Sequence, residues 1–96
     1  MPTYILLSTL TPDGRKTIKE RPERILEVNK EIEAFGAKVV AQYSVLGLYD
    51  FVNVVEAPSN EAIVQVSLEL GSRGTVKIMS MAAIPVEKVM EMAKKK

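Results

Sequence analysis

Along the chain, apolar positions recur with a period that alternates between that of a strand and that of a helix. Thr3-Tyr4-Ile5-Leu6-Leu7-Ser8-Thr9 is short, apolar and closed by the turn residues Thr11-Pro12-Asp13-Gly14, which predicts a buried strand. From Pro12 to Glu20 the pattern is weakly helical. Pro22 lacks the N–H that an interior turn uses, so it either restarts or kinks the helix that follows. In that helix Ile25, Val28, Ile32 and Phe35 recur at intervals of three and four and share one stripe, and Gly36 ends it. Val39 to Val45 and Phe51 to Glu56 are rich in β-branched and aromatic residues, and only Leu46 to Asp50 separate them, which predicts a hairpin. Ala57-Pro58-Ser59 breaks the second of these strands and offers Ser59 as an N-cap. Ala62, Ile63, Val66 and Leu70 then form another helical stripe, closed by Gly71. Thr75 to Ile84 reads as a fourth strand, and Pro85 opens a short terminal helix with Val86, Val89, Met90 and Ala93 on one side.

The order β-α-β-β-α-β, with right-handed crossovers, leaves few arrangements. The simplest is a ferredoxin-like plait of α+β class: one domain over residues 1–96, an antiparallel four-stranded sheet in the order 4-1-3-2, both helices on one face, and an extra short C-terminal helix. Strand alternation then has a consequence. Ile5 and Leu7 oppose Tyr4 and Leu6, Val52 and Val54 oppose Phe51 and Val55, and Val76 and Ile78 oppose Met79 and Met81, so both faces of the sheet are apolar. Helices cover one. The other predicts homodimerisation or higher assembly, because so large an apolar patch is uncommon on a soluble monomer. The alternative is that the terminal helix folds back over its own sheet.

Composition narrows the chemistry. There is no cysteine, which excludes disulfides, thiolate nucleophiles and iron–sulfur or zinc–thiolate sites, and no histidine, which removes the commonest metal ligand and general base. Neither a cofactor nor a metal site is expected. The methionines, without cysteine or histidine beside them, read as interface packing. The formal charge is +1, and the only run of like charge, Lys94-Lys95-Lys96, reads as a solvated helix end, so no nucleic-acid partner is expected. The apolar runs are far too short to span a bilayer and no secretory signal opens the chain, which points to the cytoplasm and away from membranes.

The hairpin carries the most distinctive words. Gly47-Leu48-Tyr49-Asp50, followed by a hydrophobic strand and Glu56-Ala57-Pro58, resembles the signature of the GYD family of small bacterial and archaeal proteins. The resemblance extends along nearly the whole chain. It includes the opening strand with its threonine turn and Gly14, Arg24 in the first helix, Gly36 at its end, Tyr43 before the hairpin turn, Gly71 and Gly74 flanking a basic residue, and Val76 in the last strand. Ala37, where the family often has a second glycine, and Ser59, where it often has an acidic residue, are mild departures. The resemblance implies a dimeric α/β-barrel or related plait assembly and carries no catalytic residues across. A similar glycine–tyrosine–aspartate turn occurs in the ligand-sensing domains of leucine-responsive-type regulators, where the surrounding interface binds small molecules.

The expected subunit interface is the open sheet face, assigned to Leu6, Phe51, Val55, Met79 and Met81. Tyr43, Tyr49 and Asp50 are expected at its edge, with Arg24 and Glu56 completing a candidate binding cluster; an arginine beside a carboxylate either ties the hairpin to the helix or grips a ligand carboxylate. The functional expectation is a homo-oligomeric small-molecule-binding or regulatory accessory protein without catalytic apparatus. Two alternatives remain open, a cofactor-independent enzyme of the dimeric α/β-barrel type using Tyr, Asp, Glu or Arg as acid and base, and a purely structural assembly module.

Overall fold

The structure, a computed structural model, describes residues 1–95; Lys96, the end of the basic tail, lies outside them. The elements run β1 (Thr3–Leu10), α1 (Pro12–Glu20), α2 (Arg24–Ala34), β2 (Lys38–Ser44), β3 (Phe51–Glu56), α3 (Asn60–Gly71), β4 (Val76–Ala83) and α4 (Val86–Lys94). All four strands pair antiparallel in the order β2-β3-β1-β4, which is the expected plait read from its other edge.

Local chemistry sets the boundaries. Thr11 caps α1 by accepting the N–H of Gly14 at 3.2 Å, with Pro12 in the first turn, and Pro22 restarts rather than kinks the helix, so the first crossover holds two helices. Ser59 caps α3 by accepting the N–H of Ala62 at 3.2 Å, as its position after Pro58 predicts. Gly36 follows α2 with a φ of 84°. At the other end of α3 the left-handed residue is Gly74, at 74°, whereas Gly71 is still helical.

The core lies between the sheet and its helices. Tyr4 and Leu6 of β1 and Val55 of β3 meet Ile32 of α2 and Ala62, Ile63, Val66 and Leu70 of α3, with Val28, Phe35, Val39, Val76 and Ile78 packed around them. The hydroxyl of the buried Tyr4 donates to Asn60 Oδ1 and ties β1 to the start of α3.

Strand register corrects the expected interface. Residues that face each other across neighbouring strands share a side of the sheet. Leu6 lies opposite Asn53 and Ser80, and Tyr4 opposite Val55, so these point to the helices together with Phe51, which lies opposite Ser8. Leu6 and Val55 are 1% and 0% exposed and belong to the core. Met79 and Met81 lie opposite Leu7 and Ile5 and do face away from the helices. The open face therefore consists of Ile5, Leu7, Val52, Val54, Met79 and Met81. It is apolar as expected, but Leu6, Phe51 and Val55 are not on it. A β-bulge between Val39 and Ala41 changes the phase of β2, so that Ala41 and Tyr43 join this face while Gln42 turns to the helices.

The terminal helix does not fold back over the sheet. α4 buries none of its side chains, Val86, Val89, Met90 and Met92 are all exposed, and the described chain extends 55 Å along its longest axis against 29 and 19 Å along the others.

Candidate functional site

A cavity of about 170 Å³ opens between the sheet and the layer of α1 and α2. Leu6, Ile18, Ile25, Val28, Ile32 and Ile78 make most of its wall apolar. A strip of polar side chains crosses that wall. Ser8 of β1, Asn53 of β3, Gln42 of β2 and Asn29 of α2 all line the space. Asn29 and Gln42 satisfy each other, with the Asn29 Nδ2 donating to Gln42 Oε1 at 2.9 Å and the Gln42 Nε2 donating to Asn29 Oδ1 at 3.2 Å. Asn53 is less well served. It is 8% exposed, its Nδ2 reaches Ser8 Oγ only at 3.5 Å, and its buried Oδ1 has no donor among the described residues. A buried acceptor without a donor costs roughly 1–3 kcal/mol, which a valine in this central strand would avoid.

Arg24 and Arg73 also line the cavity, and both are held by Glu31. Arg24 Nη1 lies 2.9 Å from Glu31 Oε1, and Arg73 Nη1 lies 2.5 Å from Glu31 Oε2. Glu27 and Glu69 stand at 3.7 and 3.0 Å from the same two arginines. Burial acts to raise the Glu31 carboxyl, but its bonds to Arg73 and Arg24 outweigh that and hold it below the ordinary carboxylate value. Glu69 and Glu31 in turn hold the Arg73 guanidinium still more firmly protonated. The cluster joins α2 to the end of α3 and leaves both guanidinium groups neutralised at the cavity wall.

The part of the cavity wall formed by Leu10, Gly14 and Thr75 is pinned to the ends of the strands. The Thr11 N–H donates to Thr75 O at 3.0 Å and its hydroxyl to Gly74 O at 2.8 Å, which brings α1 against the α3–β4 loop. Gly14 permits this approach, because a Cβ there would lie 2.0 Å from the Thr75 oxygen. In the hairpin, Gly47 has a φ of 113° and Val45 N–H donates to Asp50 O at 2.9 Å. Asp50 then docks the hairpin on β1. Its N–H donates to Ser8 O at 2.8 Å, and its Oδ2 accepts the Leu10 N–H at 2.7 Å, with Arg15 at 4.0 Å.

The predicted site residues fall in different places. Arg24 lines the cavity and pairs with Glu31 and Glu27. Tyr43 lies on the open face opposite Val52, and the Tyr49 hydroxyl stands 3.8 Å from Met79 Sδ on the same side. Glu56 ends β3 opposite Thr3 and Lys38. Tyr43, Tyr49 and Asp50 are thus gathered around the hairpin, whereas Arg24 and Glu56 are not joined to them by any bond among the described residues. Ser8, Asn29, Gln42, Asn53 and Arg73 were missed. The signal for Asn53 was present, as a lone amide within Phe51-Val52-Asn53-Val54-Val55. The pairing of Glu31 with Arg73 joins distant parts of the sequence and has no local signature.

A family model described as the GYD domain matches residues 4–93. The chain belongs to the GYD domain family. A relative from Thermus thermophilus, named as a glutamine synthetase and cystathionine beta-lyase binding protein, is 60% identical over 87 residues, which cover 90% of this GYD chain and 92% of the relative. Among solved structures, TTHA0845 from Thermus thermophilus superposes with a TM-score of 0.55 at 23% identity, over 88% of this chain and 95% of that one. The leucine response regulatory protein LrpA of Mycobacterium tuberculosis superposes with a TM-score of 0.54 at 18% identity; 88% of this chain matches 51% of that one, so the GYD chain spans about half its length. At these identities the two structures show a shared fold. No helix among the described residues is long and apolar enough to cross a membrane.

Proposed function

We propose that this GYD protein is a non-catalytic accessory protein that works as a homo-oligomer and binds metabolic enzymes, glutamine synthetase and cystathionine beta-lyase first among them, with a small molecule held in each subunit. The observation that carries the reading is the 60% identity, along nearly the whole of both chains, with a relative named for binding those two enzymes. Two surfaces supply the means. Ile5, Leu7, Val52, Val54, Met79 and Met81 present an apolar sheet face suited to a second copy packed across a two-fold axis. The α4 helix projects with Val86, Val89 and Met90 exposed and Glu87, Lys88 and Glu91 between them, an amphipathic element that buries none of its side chains among the described residues. Tyr43 and Tyr49 border the open face, where amphipathic rings serve an interface or its ligand.

The test is co-sedimentation of the purified protein with each purified enzyme. A complex with either enzyme that is lost when α4 is removed supports the reading. Free migration of the protein past both enzymes at micromolar concentration refutes enzyme binding, and a species of 10.6 kDa alone at that concentration refutes the homo-oligomer.

A further inference from the structure

We infer that the cavity between the sheet and α1–α2 is a binding site for a small neutral molecule, a single-ring or comparably compact apolar body that carries one hydroxyl or N–H donor for Asn53. The inference deepens the small-molecule part of the proposed function and rests on it. Size sets the first limit. The space measures about 170 Å³, and a dry engineered cavity of about 150 Å³ is enough to take up benzene. Its walls, with Leu6, Ile25 and Ile78 among them, suit an apolar body.

The polar strip sets the second limit. Of its amides, Asn29 and Gln42 use each other and need nothing further, whereas Asn53 Oδ1 is buried without a donor. The last torsion of an asparagine side chain is broad, so a small rotation turns this oxygen into the cavity that Asn53 already lines. A ligand O–H or N–H placed there satisfies a buried acceptor that has no donor among the described residues.

Charge sets the third. Two arginines on a cavity wall would ordinarily suggest an anion, but Glu31 already spans both guanidinium groups, and Glu27 and Glu69 flank them. A carboxylate ligand would have to displace Glu31, which bonds both guanidinium groups at 2.9 and 2.5 Å. The site therefore selects against anions and for neutral donors.

Phenol, toluene and benzoate have similar size and separate these features. Titrated into the purified full chain and followed by amide chemical shifts, phenol is expected to saturate with its largest changes around Ser8, Gln42, Asn53 and Ile78. Toluene should bind about three- to tenfold more weakly, the span of one neutral hydrogen bond, and benzoate more weakly than either. Asn53→Leu should bring phenol down to the level of toluene while toluene still binds. Val28→Trp, which fills the space, should abolish both in a chain shown to be folded by circular dichroism. Equal affinity for phenol and toluene, tighter binding of benzoate, shifts confined to the open face, or exclusion of every ring from the wild type would each overturn the assignment. Enzyme binding is measured separately on the same wild-type sample. A complex with the enzymes but no ring binding sinks only the cavity assignment, and ring binding without a complex sinks only the enzyme-binding reading.

Discussion

Replacing Asp50 by alanine separates a structural role of the hairpin aspartate from a binding role. Its Oδ2 accepts the Leu10 N–H at 2.7 Å, at the end of β1 where the ladder with β3 has run out, and its side chain is about one-third exposed. A hydrogen bond to a charged acceptor contributes about 1.5–3 kcal/mol when desolvated, and partial exposure reduces that to about 1.5–2 kcal/mol here. The Arg15 contact at 4.0 Å, on a side chain that is mostly exposed, adds little. For a domain of this size each 1 kcal/mol moves the melting temperature by about 4–8 °C, so Asp50→Ala should melt roughly 6–15 °C below the wild type. Asp50→Asn keeps an acceptor oxygen in place and should recover most of that loss. Thermal melts by circular dichroism at one protein concentration provide the measurement. A melting point for Asp50→Ala within about 2 °C of the wild type, accompanied by loss of a complex or of ring binding, would refute the docking account and assign the residue to recognition.

Three further outcomes follow from the geometry. Gly14→Ala drives a Cβ to within 2.0 Å of a Thr75 oxygen that is already bonded to Thr11, and should cost upwards of about 3 kcal/mol by chemical denaturation, whereas Gly71→Ala, with nothing within 4 Å, should gain up to about 0.5 kcal/mol from helix propensity. Leu6→Ala should lose about 3–4 kcal/mol whatever the protein concentration, because Leu6 is core. In the homo-oligomer proposed above, Met81→Glu, on the open face, should instead remove only the concentration-dependent part of the stability. Glu31 has a folded value below its ordinary 4.5, so its contribution is complete above that pH and is lost as the pH falls through the folded value. Glu31→Gln should therefore be less stable than the wild type at neutral pH, with the difference constant above about pH 5 and shrinking progressively as the pH is lowered below 4.5, read from melting temperatures across roughly pH 2–7.

The plait was legible because each of its signals is local. Thr11, Pro12, Pro22, Ser59 and the glycine at 36 mark helix ends through their own backbone chemistry, and the strands announce themselves by β-branched runs. Facing was not legible. A strand that is apolar at every position gives no phase, so Ile5–Leu7 and Tyr4–Leu6 are equivalent until β1 is paired with β3 and β4. Sequence alternation alone therefore leaves Leu6, Phe51 and Val55 with Met79 and Met81, although register puts the two sets on opposite sides. In β2 the bulge after Val39 shifts the phase again, and no residue there signals it. The charge cluster failed to show for another reason, since Arg24 has several carboxylates within reach along the sequence and only the packing of α2 beside the end of α3 selects Glu31 and brings Arg73 to it.

Once register is known, one strip of the sheet runs against what folding alone would favour, although Tyr4, Leu6 and Val55 on the covered face form the core. On the side that helices bury, the central strand carries Asn53 with its oxygen unsatisfied, beside Ser8 and Gln42, and on the uncovered side the same strands carry Ile5, Leu7, Val52, Val54 and two methionines. Exchanging the two sets would relieve a buried polar group and an exposed apolar patch together, each at no cost to strand propensity. That such an exchange is absent is difficult to attribute to stability. It is accounted for if each face meets something outside the chain, a polar group inside the cavity and an apolar surface across the open face. Asn53 stands between Val52 and Val54 on β3, so whatever fills the cavity and whatever covers the open face contact consecutive residues of one strand. Because successive side chains project to opposite faces, Asn53→Leu and Val54→Asp test the two contacts independently at adjacent positions, and an effect of phenol on the self-association of the wild type that disappears in Asn53→Leu would show that the strand couples them.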